Sequence, residues 1–238
     1  MINSKKVIGI IPARSGSKGL PGKNIKEICG KPLLEWTVNV AKKSAYIDEL
    51  IVSTDSIEYA DLVRGLGIPI PFMRPVELAD DSTSTFEVVK HVLYSYKSKL
   101  NKEFDYIILL EPTSPLREDN DVDHMLERLN ESEEFNDSIV SIGEVNTHPS
   151  IIKKIADGRV VNYCPDLLQT TRRQDNDSAF FPYGVAYIAK VKNYLQEKTF
   201  YTERCLGYEI KRYQCYEIDD IFDFICVEAI MKNIWNIK

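Results

Sequence analysis

The stretch Val7-Ile8-Gly9-Ile10-Ile11-Pro12-Ala13-Arg14-Ser15-Gly16-Ser17-Lys18-Gly19-Leu20-Pro21-Gly22-Lys23-Asn24 sets an apolar run directly against a basic, glycine-rich loop. Val7 to Ile11 has the continuous hydrophobicity of a strand buried on both faces, as in parallel sheets covered by helices. The loop carries Arg14, Lys18 and Lys23, with Lys26 just beyond, and no carboxylate. Like charges crowded into one loop repel unless an anion joins them. Glycines let backbone N–H groups approach phosphate oxygens, and fixed cations neutralise those oxygens. The pattern points to a bound polyphosphate. It is not a Walker A loop: Gly16 and Gly22 are separated by five residues rather than four, and Asn24 follows Lys23 where Ser or Thr would stand. The dinucleotide fingerprint G-x-G-x-x-G is absent too.

Outward from this stretch, strand and helix patterns alternate. Leu33, Leu34, Trp36, Thr37, Val40 and Ala41 follow helical spacing. Leu50 to Ser53 reads as a strand, with Thr54 and Asp55 as caps for a helix beginning near Ile57. Ile68 to Phe72 reads as a short, proline-broken strand. Ser82 or Thr83 is expected to cap a helix running to about Tyr96. Tyr106 to Leu110 is the most apolar strand and the expected sheet centre. Asp119 or Asn120 starts a further helix, and Ser138 to Ile142 a further strand. This alternation implies an α/β fold with a doubly wound, mostly parallel sheet, whose ligands sit beyond the carboxyl ends of the strands. The basic loop, Asp55 and Glu111 all fall at such ends. From His148 to Asn176 the pattern turns polar around an Asp157-Gly158 turn, as in an inserted lobe or arm. A strand to Ala189, a short helix, a strand near Tyr208 to Tyr216 and a helix from about Asp219 to Asn233 complete the reading.

The length of 238 residues suits one domain, 1–238, and 44% apolar content supplies a substantial core. A net charge of −6 argues against a nucleic-acid binder and makes the basic loop stand out. Five cysteines without C-x-x-C spacing read as reduced and buried, in a cytoplasmic protein. No apolar run approaches the roughly 18 residues of a membrane span, and no cationic apolar leader opens the sequence. His91, His124 and His148 show no paired metal-ligand spacing.

The loop from Pro12 to Asn24 resembles the opening motif of the acylneuraminate cytidylyltransferases. The resemblance continues, in the family's order, through Ile51-Val52-Ser53-Thr54-Asp55, Arg74-Pro75-Val76-Glu77-Leu78-Ala79, Pro112-Thr113-Ser114-Pro115-Leu116-Arg117 and Tyr216-Glu217-Ile218-Asp219-Asp220. It implies a magnesium-dependent enzyme that transfers CMP from CTP to the anomeric hydroxyl of a nine-carbon acidic sugar of sialic, legionaminic or pseudaminic type. Two alternatives stay open. One is a related nucleotidyltransferase acting on Kdo or a sugar 1-phosphate. The other is a non-catalytic nucleotide-binding protein.

The resemblance assigns roles residue by residue. Arg14 and Lys23 match positions that contact the triphosphate near the transferred phosphorus, and Asn24 a neighbour on the nucleotide. Arg74 falls on the cytosine side, with Thr85 at a nearby hydroxyl position. Asp219 matches a metal ligand, with Glu217 standing where the family usually has Asp. The residues themselves add that Lys18, Ser15 and Ser17 suit phosphate oxygens, and that backbone groups at Pro12 and Ala13 suit cytosine. Glu217 and Asp219 are expected on one face of an extended segment, where paired carboxylates suit magnesium. Asp220 and Asp223 read better as helix caps.

On the sugar side, Glu111 replaces the family's usual Gln, and an ionised Glu only accepts hydrogen bonds. Phe181-Pro182-Tyr183-Gly184 replaces Arg-Pro-Asn-Gly. Phe181 and Tyr183 are expected to meet the apolar end of a sugar other than plain N-acetylneuraminate. Arg172 and Arg173 remain as cations for the sugar's carboxylate, Arg173 matching a family arginine. Phe200-Tyr201 matches aromatics that reach into a neighbouring subunit's sugar site, and residues 144–176 match a dimerisation arm. Both imply a homodimer.

Overall fold

Strand β1 (Val7–Pro12) lies inside a six-stranded sheet that also contains β4 (Glu49–Ser53), β5 (Tyr106–Leu109), β6 (Ser138–Glu144), β9 (Phe180–Lys190) and β10 (Cys205–Glu209), in the order β10-β6-β9-β5-β1-β4. The structure, a computed structural model, describes residues 1–165 and 177–235. β1 pairs in parallel with β4 and β5, placing Ile10 beside Ile51 on one side and Leu109 on the other. β10 pairs in parallel with β6, and β9 runs antiparallel to both β5 and β6. The sheet is therefore mostly parallel, with β9 as its one reversed strand, and β5 lies at its centre as expected.

Strand alternation sorts the apolar residues onto two faces. Val7, Ile11 and Ile108 join helices α1 (Leu33–Lys43), α2 (Ile57–Gly65) and α4 (Asp121–Glu131) through Leu34, Val38, Val63 and Met125. Ile8, Ile10, Ile107 and Leu109 pack on the other face against Val89, Val92 and Tyr96 of α3 (Thr85–Leu100) and Tyr194 of α5 (Val191–Glu197). Each such side chain, fully buried, contributes about 1.5–3 kcal/mol of transfer free energy. A third cluster joins Leu20 of the basic loop to Ile218 and to Phe224, Val227 and Met231 of α6 (Ile221–Ile234). A short hairpin, β2 (Glu27–Ile28) with β3 (Lys31–Pro32), links the loop to α1.

Several boundaries differ from expectation for local reasons. Ser56, not Thr54 or Asp55, caps α2 by accepting from the Tyr59 amide. Ser84 caps α3 in the same way, one residue past Thr83, and the helix runs on to Leu100. Ile68 to Phe72 forms no strand, because Pro69 and Pro71 lack the amide hydrogens a sheet ladder requires. β10 ends at Glu209, and Arg212–Gln214 forms a 3₁₀ turn inside the expected strand. Asp220 and Asp223 form a reciprocal cap on α6.

The expected arm is described in part. β7 (Lys153–Ala156) and β8 (Arg159–Asn162) form an antiparallel hairpin. Asp157 (φ 50°) and Gly158 (φ 73°) turn it, both in the left-handed region that a two-residue hairpin turn demands. The rest of the segment, including Arg172 and Arg173, lies outside the described residues. All five cysteines are free, but only Cys215 is buried and Cys226 is exposed. Among the described residues no helix is long and apolar enough to cross a membrane.

Candidate active site

The basic loop is fixed at four points. The Ala13 amide donates to the Ser53 carbonyl at 2.9 Å. Both the amide and the hydroxyl of Ser15 donate to Asp55, at 2.9 and 2.6 Å. Buried Asn24 donates to the Arg14 carbonyl at 3.2 Å. Gly19 lies so close to the 218–219 backbone that a Cβ there would overlap the carbonyl oxygen of Asp219. Lys23 reaches the same segment, donating to the Ile218 carbonyl at 2.8 Å and pairing with Asp219 at 3.1 Å. The chain's first loop and a segment 195 residues later thus share one wall.

That wall encloses a cavity of about 520 Å³ lined by Pro12, Arg14, Ser17, Lys18, Lys23, Asn24, Arg74, Thr85, Glu111 and Asp219, among others. Most of the sequence-predicted nucleotide residues therefore converge. Two do not behave as expected. Ser15 has its donors taken by Asp55 and does not line the cavity. Ala13 is buried with its amide committed to Ser53, so only its carbonyl is left for a base. Burial alone would raise the Asp55 carboxyl, but the Ser15 hydroxyl and amide hold it below its ordinary range.

Arg74 is buried and anchored by Ser53, whose hydroxyl and carbonyl accept from it at 3.1 and 2.6 Å. Burial pushes its guanidinium down to about 10, against the opposing charge of Asp55. The group stays cationic at neutral pH.

Glu111 leaves the end of β5 at the boundary between this cavity and a second one. The second, of about 530 Å³, is lined by Thr85, Phe86, Glu111, Tyr187, Phe200 and Tyr201, among others. Gly184 makes the position available, since a Cβ there would overlap the Glu111 side chain. Beneath it, the fully enclosed Arg117 donates to the carbonyls of Glu111 (2.6 Å), Gly184 (2.5 Å) and Val185, and to the Thr37 hydroxyl at 2.9 Å. Burial and the neighbouring Glu217 carboxylate push Glu111 up to about 7, although Arg117 partly opposes this. The neutral form of Glu111 therefore persists to higher pH than that of an ordinary glutamate. A neutral carboxylic acid both donates and accepts, as the amide of Gln does.

The carboxylate pair is split. Asp219 lines the first cavity and is largely exposed. Glu217 lines neither cavity; its Oε1 accepts from the Ser114 hydroxyl at 2.5 Å and the Gly184 amide at 2.6 Å. Ser114 and Gly184 occupy Glu217, whereas Asp219 pairs with Lys23, yet both carboxylates act on Glu111. Among the described residues no group of three or more His, Cys, Asp or Glu side chains is arranged to hold a metal.

Of the expected sugar residues, Glu111 and Tyr201 share the second cavity. Phe200 lines it too, but it is buried in this chain's own core, 4.4 Å from Tyr194 between ring centroids. Tyr183 lines neither cavity. It packs beside Val185, Ile210 and Cys215 and meets Phe181 edge-on at 5.1 Å. Strand alternation turns Tyr183 away when Gly184 faces Glu111. Phe181 and Tyr183 therefore do not line either of these two cavities. Arg173 lies outside the described residues. Sequence reasoning missed Asp81 and the close approaches at Gly19 and Gly184. Asp81 sits in a polar run that reads as a helix cap, and a glycine's neighbours are invisible in a linear pattern.

The comparisons agree with this geometry. Residues 8–230 match the family model described as cytidylyltransferase. The chain is 35% identical over 227 residues to the N-acylneuraminate cytidylyltransferase of Streptococcus agalactiae serotype V, covering 93% of this chain and 52% of that relative. It therefore spans about half the length of that relative. It is 31% identical to the CMP-N,N'-diacetyllegionaminic acid synthase of Legionella pneumophila, covering 95% of this chain and 97% of the relative. The pseudaminic acid cytidylyltransferase of Campylobacter jejuni is 26% identical, covering 95% and 97%. A solved CMP:2-keto-3-deoxy-manno-octonic acid synthetase complexed with CTP shares the fold, with a TM-score of 0.70 at 19% identity over 96% of this chain and 99% of that one.

Proposed function

The chain belongs to the cytidylyltransferase family, and we propose that it transfers CMP from CTP to the anomeric hydroxyl of a nine-carbon acidic sugar, releasing pyrophosphate. The observation that carries this reading is the convergence of Arg14, Lys18, Lys23, Arg74, Thr85 and Asp219 on one cavity that meets a second at Glu111. The sugar hydroxyl oxygen attacks the α-phosphorus, and the bond from that phosphorus to the bridging oxygen of pyrophosphate breaks. Such a transfer depends on positioning and charge stabilisation. Arg14, Lys18 and Lys23 offset the triphosphate's charge, and Arg74 with Thr85 orients the cytidine end. Asp219 is our candidate acceptor for the hydroxyl proton.

Asp219 also fits a magnesium ion. Magnesium uses one or two carboxylates together with substrate phosphates, and does not need a cage of protein ligands. When bound, the ion would offset charge on the phosphates. Glu217, held by Ser114 and Gly184, acts in this reading by positioning Gly184 rather than as a ligand. In the second cavity, Glu111 in its neutral form donates to a sugar polar group without repelling the sugar's carboxylate. Free cysteines and CTP use together support a cytoplasmic setting.

A homodimer is part of the proposal. The β7–β8 hairpin exposes Ile155 (80%) and Val160 (73%), with Tyr163 (60%) just beyond it, and exposed apolar groups brought together in this way mark interaction surfaces. Sedimentation equilibrium is expected to give the dimer mass; a monomer at micromolar concentration rejects this element.

The direct test of the activity is pyrophosphate release from CTP and magnesium with N-acetylneuraminate, a legionaminate, a pseudaminate and Kdo. Release with one of the nine-carbon sugars, and at least tenfold less with Kdo, is expected. CTP binding with no release from any sugar would reject the enzymatic reading.

The raised Glu111 gives a pH dependence. Its neutral form is favoured in the fold, so its contribution to stability is complete below the unfolded carboxyl range and is lost as pH rises through about 7. Glu111→Gln keeps the shape and removes the charge. The variant is expected to melt near the wild-type temperature at pH 5 and a few degrees higher at pH 8, roughly 1–2 kcal/mol of relief. An equal difference at both pH values would contradict a buried, titrating Glu111.

A further inference from the structure

Asp81 stands against two of the loop's cations. Its Oδ1 lies 2.6 Å from Nη2 of Arg14, and its Oδ2 contacts Nζ of Lys18. One carboxylate thus bridges both groups, as two oxygens of a phosphate would. The contact is reinforced by the backbone, since Arg14 Nη1 donates to the Ala79 carbonyl at 3.4 Å. Asp80 shapes the turn: its Oδ1 accepts from the amides of Ser82 and Thr83 at 3.0 and 2.6 Å, which leaves Asp81 free to face the loop.

The segment carrying Asp81 is anchored at its ends, and between them it holds its own short 3₁₀ turn, Val76–Leu78. The Arg74 amide donates to the Thr54 carbonyl at 2.8 Å on one side, and Ser84 caps α3 on the other. Between them runs a strap that crosses the phosphate loop and whose Asp81 lies in the cavity wall with Arg14 and Lys18. The chain's acidity does not explain this placement: Glu77 in the same strap makes no ion pair with the loop. Exposed ion pairs of this kind are individually weak, so the strap can be displaced.

We infer that Asp81 is a built-in stand-in for a phosphate group, holding Arg14 and Lys18 until a triphosphate takes them, and that it thereby sets nucleotide affinity. The inference rests on the reading of the cavity as a triphosphate site. Because a ligand binds only the fraction of molecules in which the cations are released, its apparent dissociation constant is the intrinsic one divided by that fraction. For an exposed pair of contacts the factor is about three- to tenfold.

The experiment is calorimetric titration of inorganic tripolyphosphate into the wild-type chain, Asp81→Asn and Asp81→Glu, each first shown folded by thermal melting. Asp81→Asn is expected to bind about three- to tenfold more tightly than wild type, and Asp81→Glu, which keeps the carboxylate, to stay near wild type. Equal or weaker binding by Asp81→Asn, tightening by both variants, or no binding by any of the three would overturn the inference. Its failure is separable from failure of the enzymatic reading. Pyrophosphate release tests the latter alone, and a chain that turns over no sugar can still show the tightening.

Discussion

The contact of Gly19 with the Asp219 carbonyl is the constraint on which the rest of the site depends. It is a backbone-to-backbone approach that no side chain other than hydrogen permits. Leu20 continues it into the apolar cluster with Ile218 and Phe224, so burial drives the loop and the base of α6 together. Lys23 then finds the Ile218 carbonyl and the Asp219 carboxylate within reach. Without this approach the cations of the first loop and the acidic group just before the last helix would belong to separate surfaces.

A second dependence runs beneath the second cavity. Arg117 is buried with no carboxylate of the described residues in direct contact and instead gathers three carbonyls and a hydroxyl. Burial pushes its guanidinium down to about 10, which still leaves it charged. Its hydrogen bonds tie the exit of β5 to β9, and Glu217 closes the same knot by accepting from Gly184 and Ser114. Removing one partner from such a buried network leaves polar groups unsatisfied, so its members hold one another in place. Glu111 is carried on that platform. Its neutral form is a consequence of the platform's burial and of Glu217, not of its own sequence neighbours.

The sheet, its parallel character and five of its strands were legible because apolar runs and helical spacing persist through them. The basic loop was legible for the same reason in reverse, as positive charge with no carboxylate of its own. Less was legible where the outcome depends on what folds opposite. Glu217 and Asp219 have the spacing of a pair, yet their partners differ: Ser114 and Gly184, distant in sequence, take Glu217, and Lys23 takes Asp219. Ser15 looks like a phosphate donor until Asp55 takes both of its hydrogens. Tyr183 does not line the cavities because Gly184 faces Glu111 and strand alternation turns its neighbour to the other side. Phe200, next to a half-exposed Tyr201, is claimed by the core around Tyr194.

The central claim is that one cavity forms because Gly19 lets the cationic loop dock on the Asp219 segment. The most direct measurement compares CTP affinity in Gly19→Ala and Gly16→Ala, since a Cβ at Gly16 meets nothing within 4 Å. The account predicts that Gly19→Ala binds CTP on the order of tenfold or more weakly while Gly16→Ala stays within about twofold of wild type. Wild-type affinity in Gly19→Ala, or an equal loss in both variants, would contradict it.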